Sequence, residues 1–178
     1  MKRYWLSLLI LISCLIFTIY MTGSVITSII DIPSFIIVVV TPLLFVTILF
    51  GFKEMRQAFA ILHKKENDHG ILLKAFAFFK VYSKATWFST IIAIFTGGIG
   101  ILSNLEDKYS LGPNFAMVLI SLFFCGVVHL AIIIPHKVFI HKQLGNNGNI
   151  SSDKFSLFGS LLGAVFVLLL EFVILIPY

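Results

Sequence analysis

Five stretches of this chain, 5–20, 33–50, 85–103, 115–135 and 155–176, approach the run of about 20 apolar residues that a helix needs to cross bilayer hydrocarbon. Short polar connections separate them, and no strand-like alternation runs through them. A backbone in lipid must satisfy its own N–H and C=O groups, so these segments predict helices rather than a barrel. Composition agrees: 59% of residues are hydrophobic and 12% charged, against about 45–50% and a quarter in soluble domains. The expected fold is an all-α membrane protein, one integral domain over 1–178 with five transmembrane helices.

The first stretch follows Lys2 and Arg3, as a secretory leader would. The sequence after it, "TIYMTGS", lacks a small-x-small cleavage site, so it reads as a retained helix. Cation placement then sets orientation. With the N-terminus cytoplasmic, Lys2, Arg3, Lys53, Arg56, Lys64, Lys65, Lys74, Lys80, Lys84, Lys137, Lys142 and Lys154 all lie inside. Of the 13 cations, only Lys108 then lies outside. The C-terminus is expected outside. The net charge of +5 reads as this topology signal and as contact with anionic lipid, not as a nucleic-acid footprint.

The inside connection 51–84 carries two helical faces. Met55, Ala58, Phe59 and Leu62 repeat at helical spacing, and Leu72, Ala75, Phe76 and Phe79 follow after "ENDHG". Asn67 or Asp68 is placed to cap the second helix, with Gly70 in the turn. The second and third spans are therefore expected to continue into the cytoplasm as a short helical hairpin. Cys14 and Cys125 fall inside predicted spans and read as small buried residues rather than a disulfide.

Polar and small residues inside the spans carry the functional signal. Gly97, Gly98 and Gly100 allow close helix approach. Asn104 is placed to cap the outer end of that helix, and Gly112 and Pro113 to begin the next. Gly126 opens a groove, and Pro135 stands at the inner end. Asp31, Pro33 and Ser34 read as a helix start. Gly159 and Gly163 form a GxxxG packing face. Glu171 lies within an apolar run, roughly 6 Å outward of its helix midpoint at 1.5 Å per residue. Carrying it there ionised is costly, so it is expected to be protonated or paired. It is a candidate proton carrier, the alternative being an acid bonded to a neighbouring hydroxyl or carbonyl. His129 titrates in the range that suits a relay, the alternative being a neutral histidine bonded between helices. Thr96 and Ser121 are candidates to line a pore, the alternative being a bond to the carbonyl one turn back. His136 and His141, five apart, and His63 and His69, flanking a turn, do not form a metal site. No nucleophile–base arrangement, phosphate loop or cofactor fingerprint is present, so neither an enzyme nor a cofactor is expected.

The stretch "FTGGIGILSNLEDKYSLGPNFAMVLISLFFCGVVHLAIIIPHKVF" resembles the last two core helices of the MotA/TolQ/ExbB proton-channel family. Gly100, the polar turn ending at Gly112, Ala116, Gly126 and Pro135 follow that family's order. "GSVITSIIDIPSFIIVV" resembles the Asp-x-Pro-Ser opening of the second helix in the flagellar-stator branch. The resemblance implies a homopentameric ring in a bacterial inner membrane, with the third and fourth helices around a central pore. It also implies a single-pass partner of MotB/TolR/ExbD type, whose aspartate exchanges protons as ion flow moves ring and partner relative to each other. The chain departs from the pattern in its short inside hairpin and in its extra C-terminal helix bearing Glu171. Thr96 and Ser121 also stand a residue or two off the family's pore positions. The alternative of another class is a non-conducting membrane scaffold that keeps the ring without a partner.

Overall fold

Asp31 opens a helix at Ile32. The structure, a computed structural model, describes residues 31–63, 68–105 and 107–145, with helical turns within 8–17. Asp31 sits in extended conformation, and its Oδ2 accepts from the Ser34 amide at 2.9 Å. Pro33, in the first turn, has no N–H to leave unpaired. Helix α1 (Ile32–Phe35) runs into a π-helical turn (Ile36–Val40) and then α2 (Thr41–Phe50).

The π turn has a local cause. Pro42 stands at the start of α2, and a proline ring both lacks an N–H and clashes with the carbonyl four residues back. Widening the preceding turn relieves that crowding: the Thr41 amide reaches back five residues to the Ile36 carbonyl, which also accepts from the Thr41 hydroxyl at 3.0 Å. The same device recurs downstream. Helix α5 (Lys108–Val128) passes through a π turn (His129–Ile133) into α6 (Ile134–Gln143), with the Ile134 amide on the His129 carbonyl and Pro135 in the first turn of α6. Pro135 therefore does not end the helix where the sequence predicts. The helical path continues to Gln143.

The beginning of α5 also differs from expectation. Asp107 accepts from the Tyr109 amide at 3.0 Å, so the helix starts at Lys108, and Gly112 and Pro113 lie within it rather than opening it. An available N-cap, one turn upstream, outweighs the single carbonyl bond that Pro113 removes.

Gly51 ends α2 at φ 93°, in the left-handed region that side chains rarely adopt. A short helix, α3 (Phe52–Ala60), leaves at a new angle and is followed by a 3₁₀ turn (Ile61–His63). Helix α4 (His69–Ser103) then returns the chain. Its N-cap position is Asp68, which makes no side-chain cap bond, and Gly70 falls in its first turn. At 1.5 Å per residue α4 is about 52 Å long, well beyond the ~30 Å of bilayer hydrocarbon. Helix α4 thus continues unbroken through 69–103, whereas α2 ends at Gly51 instead of continuing as the sequence predicts.

The helical faces read from 51–84 build the main core. Ala58, Ile61, Leu72, Ala75, Phe78 and Phe79 are buried with Val46 of α2 and Ile140 of α6. Phe59 and Phe78 meet edge to face at 6.1 Å, Phe59 and Phe79 at 5.5 Å, and Phe50 and Phe78 at 5.6 Å. This cluster occupies the basic end of the bundle. Water makes burial of apolar faces favourable there, whereas lipid tails offer an apolar surface as good as a neighbouring leucine. Accordingly Phe88, Ile92, Phe95, Ile99 and Leu102 stand exposed along one face of α4.

Among the described residues three helices are long and apolar enough to cross a membrane: Ile32–Phe50, His69–Ser103 and Leu111–Gln143. The expected span 155–176, with Gly159, Gly163 and Glu171, lies outside the described residues, as does most of 5–20.

Candidate functional site

Helix α4 runs antiparallel to the continuous helical path of α5, the π turn and α6, and touches it along a seam whose register can be read from five meetings. At the Asn104 end, a Cβ on Gly100 would collide with the Asn114 side-chain amide. A Cβ on Gly97 would lie 2.7 Å from Val118 Cγ2 and 3.0 Å from the Asn114 carbonyl. Glycine is what lets the two backbones approach here. Gly98 is buried beside them. Further along, the Cys125 thiol hydrogen-bonds the Thr90 hydroxyl, and Ser83 Oγ lies 3.1 Å from His129 Nε2. At the basic end the Phe79 ring lies 4.5 Å from that of His136.

The seam is polar along its middle. Ser83, Thr86 and Thr90, at i, i+3 and i+7, share one buried face of α4. Thr90 Oγ1 donates to the Thr86 carbonyl at 2.8 Å, and Thr86 Oγ1 to the Tyr82 carbonyl at 2.9 Å. From α5, Ser121 Oγ donates to the Met117 carbonyl at 2.7 Å, and Ser34 Oγ of α1 reaches the same carbonyl at 3.3 Å. Ser34 thereby serves twice, taking the Asp31 cap that opens α1 and docking α1 on α5. No Asp, Glu, Lys or Arg is buried among the described residues.

The two predicted pore hydroxyls are not brought together. Ser121 is fully buried within the chain, whereas Thr96 is exposed on α4 and donates to the Ile92 carbonyl at 2.8 Å. Both hydroxyls bond the carbonyl one turn back, as span hydroxyls commonly do. Asn104 closes α4 as expected, with Nδ2 donating to the Gly100 carbonyl at 2.9 Å. Gly112, Ala116 and Gly126 lie exposed on α5, and a Cβ added at either glycine would meet no atom within 4 Å.

His129 is the predicted residue with the richest surroundings. Its Nδ1 faces the Cys125 carbonyl at 2.9 Å, so that nitrogen carries the proton, with Cys125 Sγ at 3.7 Å. Its Nε2 faces the Ser83 hydroxyl, and the Trp87 ring lies 5.4 Å away, centroid to centroid. The Trp87 indole N–H is buried without an acceptor among the described residues. Sequence reading passed over Ser83, Thr86, Trp87 and Thr90. The spacing of the three hydroxyls was the available signal, but Ser83 falls in the stretch assigned to the hairpin.

Among the described residues no three His, Cys, Asp or Glu side chains converge to hold a metal ion. The architecture defines an all-helical membrane protein in which the two longest helices among the described residues meet along a buried polar seam. Comparison with protein-family models, with characterised proteins and with solved structures finds no match, so any narrower class rests on the chain's own residues.

Proposed function

We propose that this chain is a proton-channel or stator-type subunit of the MotA/TolQ/ExbB kind in a bacterial inner membrane. In this reading it forms a homopentameric ring, with its N-terminus cytoplasmic and its C-terminus outside. Ion flow through the ring moves a single-pass partner of MotB/TolR/ExbD type.

One observation carries the reading: the exposed glycines of α5. A glycine inside a helix is about 1 kcal/mol less favourable than alanine. Gly97 and Gly100 are explained within the chain, because α5 fills the space that a side chain would take. Gly112 and Gly126 are not, since the space beside each is open. Together with Ala116 they present a small-residue face on a helix long enough to span a membrane, the kind of surface against which a neighbouring helix packs. In the ring that neighbour is another copy.

The test is the mass of the particle purified in mild detergent. Five chains with a co-eluting single-pass protein carrying a membrane-embedded aspartate is the expected result; a stable monomer removes the proposal. The scaffold alternative is favoured by the burial of Ser121, which leaves Thr96 as the exposed member of the hydroxyl pair. A pentamer that carries no protons in liposomes and recruits no partner selects it.

A further inference from the structure

The imidazole of His129 is held by groups that accept both of its protonation states. Its Nδ1–H donates to the Cys125 carbonyl whether the ring is neutral or charged. Its Nε2 meets a hydroxyl, which is both donor and acceptor. In the neutral ring Ser83 O–H donates to Nε2. In the charged ring Nε2–H donates to Ser83 Oγ, and the hydroxyl hydrogen only has to rotate away. A backbone amide or a lysine at that place would have locked the ring neutral, and a carboxylate would have locked it charged.

The rest of the surroundings agree. Trp87 lies within the ~6 Å at which an indole face attracts a cation. Cys125, its Sγ 3.7 Å from Nδ1, is a titratable side chain beside the ring, and among the described residues no Asp, Glu, Lys or Arg is buried. The nearest cations along α4, Lys80 and Lys84, are exposed. His129 itself is half buried. His136, by contrast, is buried between the rings of Phe59 and Phe79.

We propose that His129 is a proton-binding site within each subunit, taking up one proton on Nε2 and releasing it from the same atom, with Ser83 as the group that rotates to accommodate it. This adds an acceptor in the subunit's own seam. Its use in ion transfer rests on the channel reading above; its existence does not.

The experiment is histidine NMR on ¹³C,¹⁵N-labelled full-length protein in lipid nanodiscs, followed over the pH range in which histidines titrate. The His129 signal is assigned by its loss in H129Q or, where that variant does not fold, in H129N. The expected result is a reversible change of protonation state as pH is varied, with a midpoint displaced by ~0.5 pH unit or more in S83A and unmoved in T96V. A ring that keeps one state throughout, or a midpoint indifferent to S83A, overturns the proposal. Proton flux in liposomes separates the two readings. A conducting protein with a silent His129 loses this site and keeps the channel. A titrating His129 in a protein that conducts nothing keeps the site and loses the channel.

Discussion

The Ser34 hydroxyl donates to the Met117 carbonyl at 3.3 Å, tying the start of α1 to the middle of α5 across 83 residues of sequence. The same carbonyl receives the Ser121 hydroxyl, so one acceptor joins two helices and holds a hydroxyl that would otherwise turn outward. Replacing Ser34 with alanine leaves Met117 its Ser121 bond. The expected loss is therefore modest, about 0.6 kcal/mol, typical of hydrogen bonds within membranes. Asp31→Ala removes the cap on the same turn and is expected to cost about 1 kcal/mol. Denaturant unfolding in detergent micelles measures both.

The glycines divide into two classes that one measurement separates. Gly97→Ala places a methyl against Val118 Cγ2 and the Asn114 carbonyl. It should destabilise the chain by about 1–3 kcal/mol, the usual penalty for overpacking. Gly126→Ala meets nothing in its own chain. It should stabilise the isolated subunit by up to about 1 kcal/mol. Gly126→Leu should leave the subunit folded and dissociate the assembly, read as a fall in particle mass.

Gly51 is required by its backbone angle. At φ 93° any side chain is strained, and a Cβ there would also crowd the Glu54 carboxylate at 2.9 Å. Gly51→Ala should cost on the order of 1–2 kcal/mol. The loss should fall on the docking of α3, seen as faster proteolysis within 52–63 while α4 and α5 stay protected.

Phe78 is fully buried and touches the rings of Phe50, Phe59, Phe79 and Tyr82. Phe78→Ala should cost about 3–5 kcal/mol. Ile99, exposed on α4, is the control. Ile99→Ala should leave the stability of the isolated chain within about 0.5 kcal/mol, so that a larger effect in the intact assembly reports a neighbouring copy.

Much of this was legible in the residues. The apolar runs at 33–50, 85–103 and 115–135 each lie within or largely overlap a helix able to cross a membrane, and Asp31-x-Pro33-Ser34 begins a helix. The faces Met55, Ala58, Phe59 and Leu72, Ala75, Phe79 pack where helical spacing puts them, because that segment carries enough polar residues for period to mean side. Helix limits were less legible: the Asp107 cap and the π turn before Pro135 both extend the fourth predicted helix beyond 115–135.

Sequence alone thus settled how much apolar length the chain has, where it is interrupted and which end is basic, since these follow from transfer energies summed along the chain. Only the tertiary structure decided which way each spanning side chain points: Ser121 inward and Thr96 outward, Ser83 onto His129, Gly97 against Val118 and Gly126 into the open. The physical reason is that in a segment apolar all round, hydrophobic contrast no longer distinguishes core from surroundings. Facing is then set by the fit of glycines, hydroxyls and carbonyls between particular helices, which appears only when the helices are side by side.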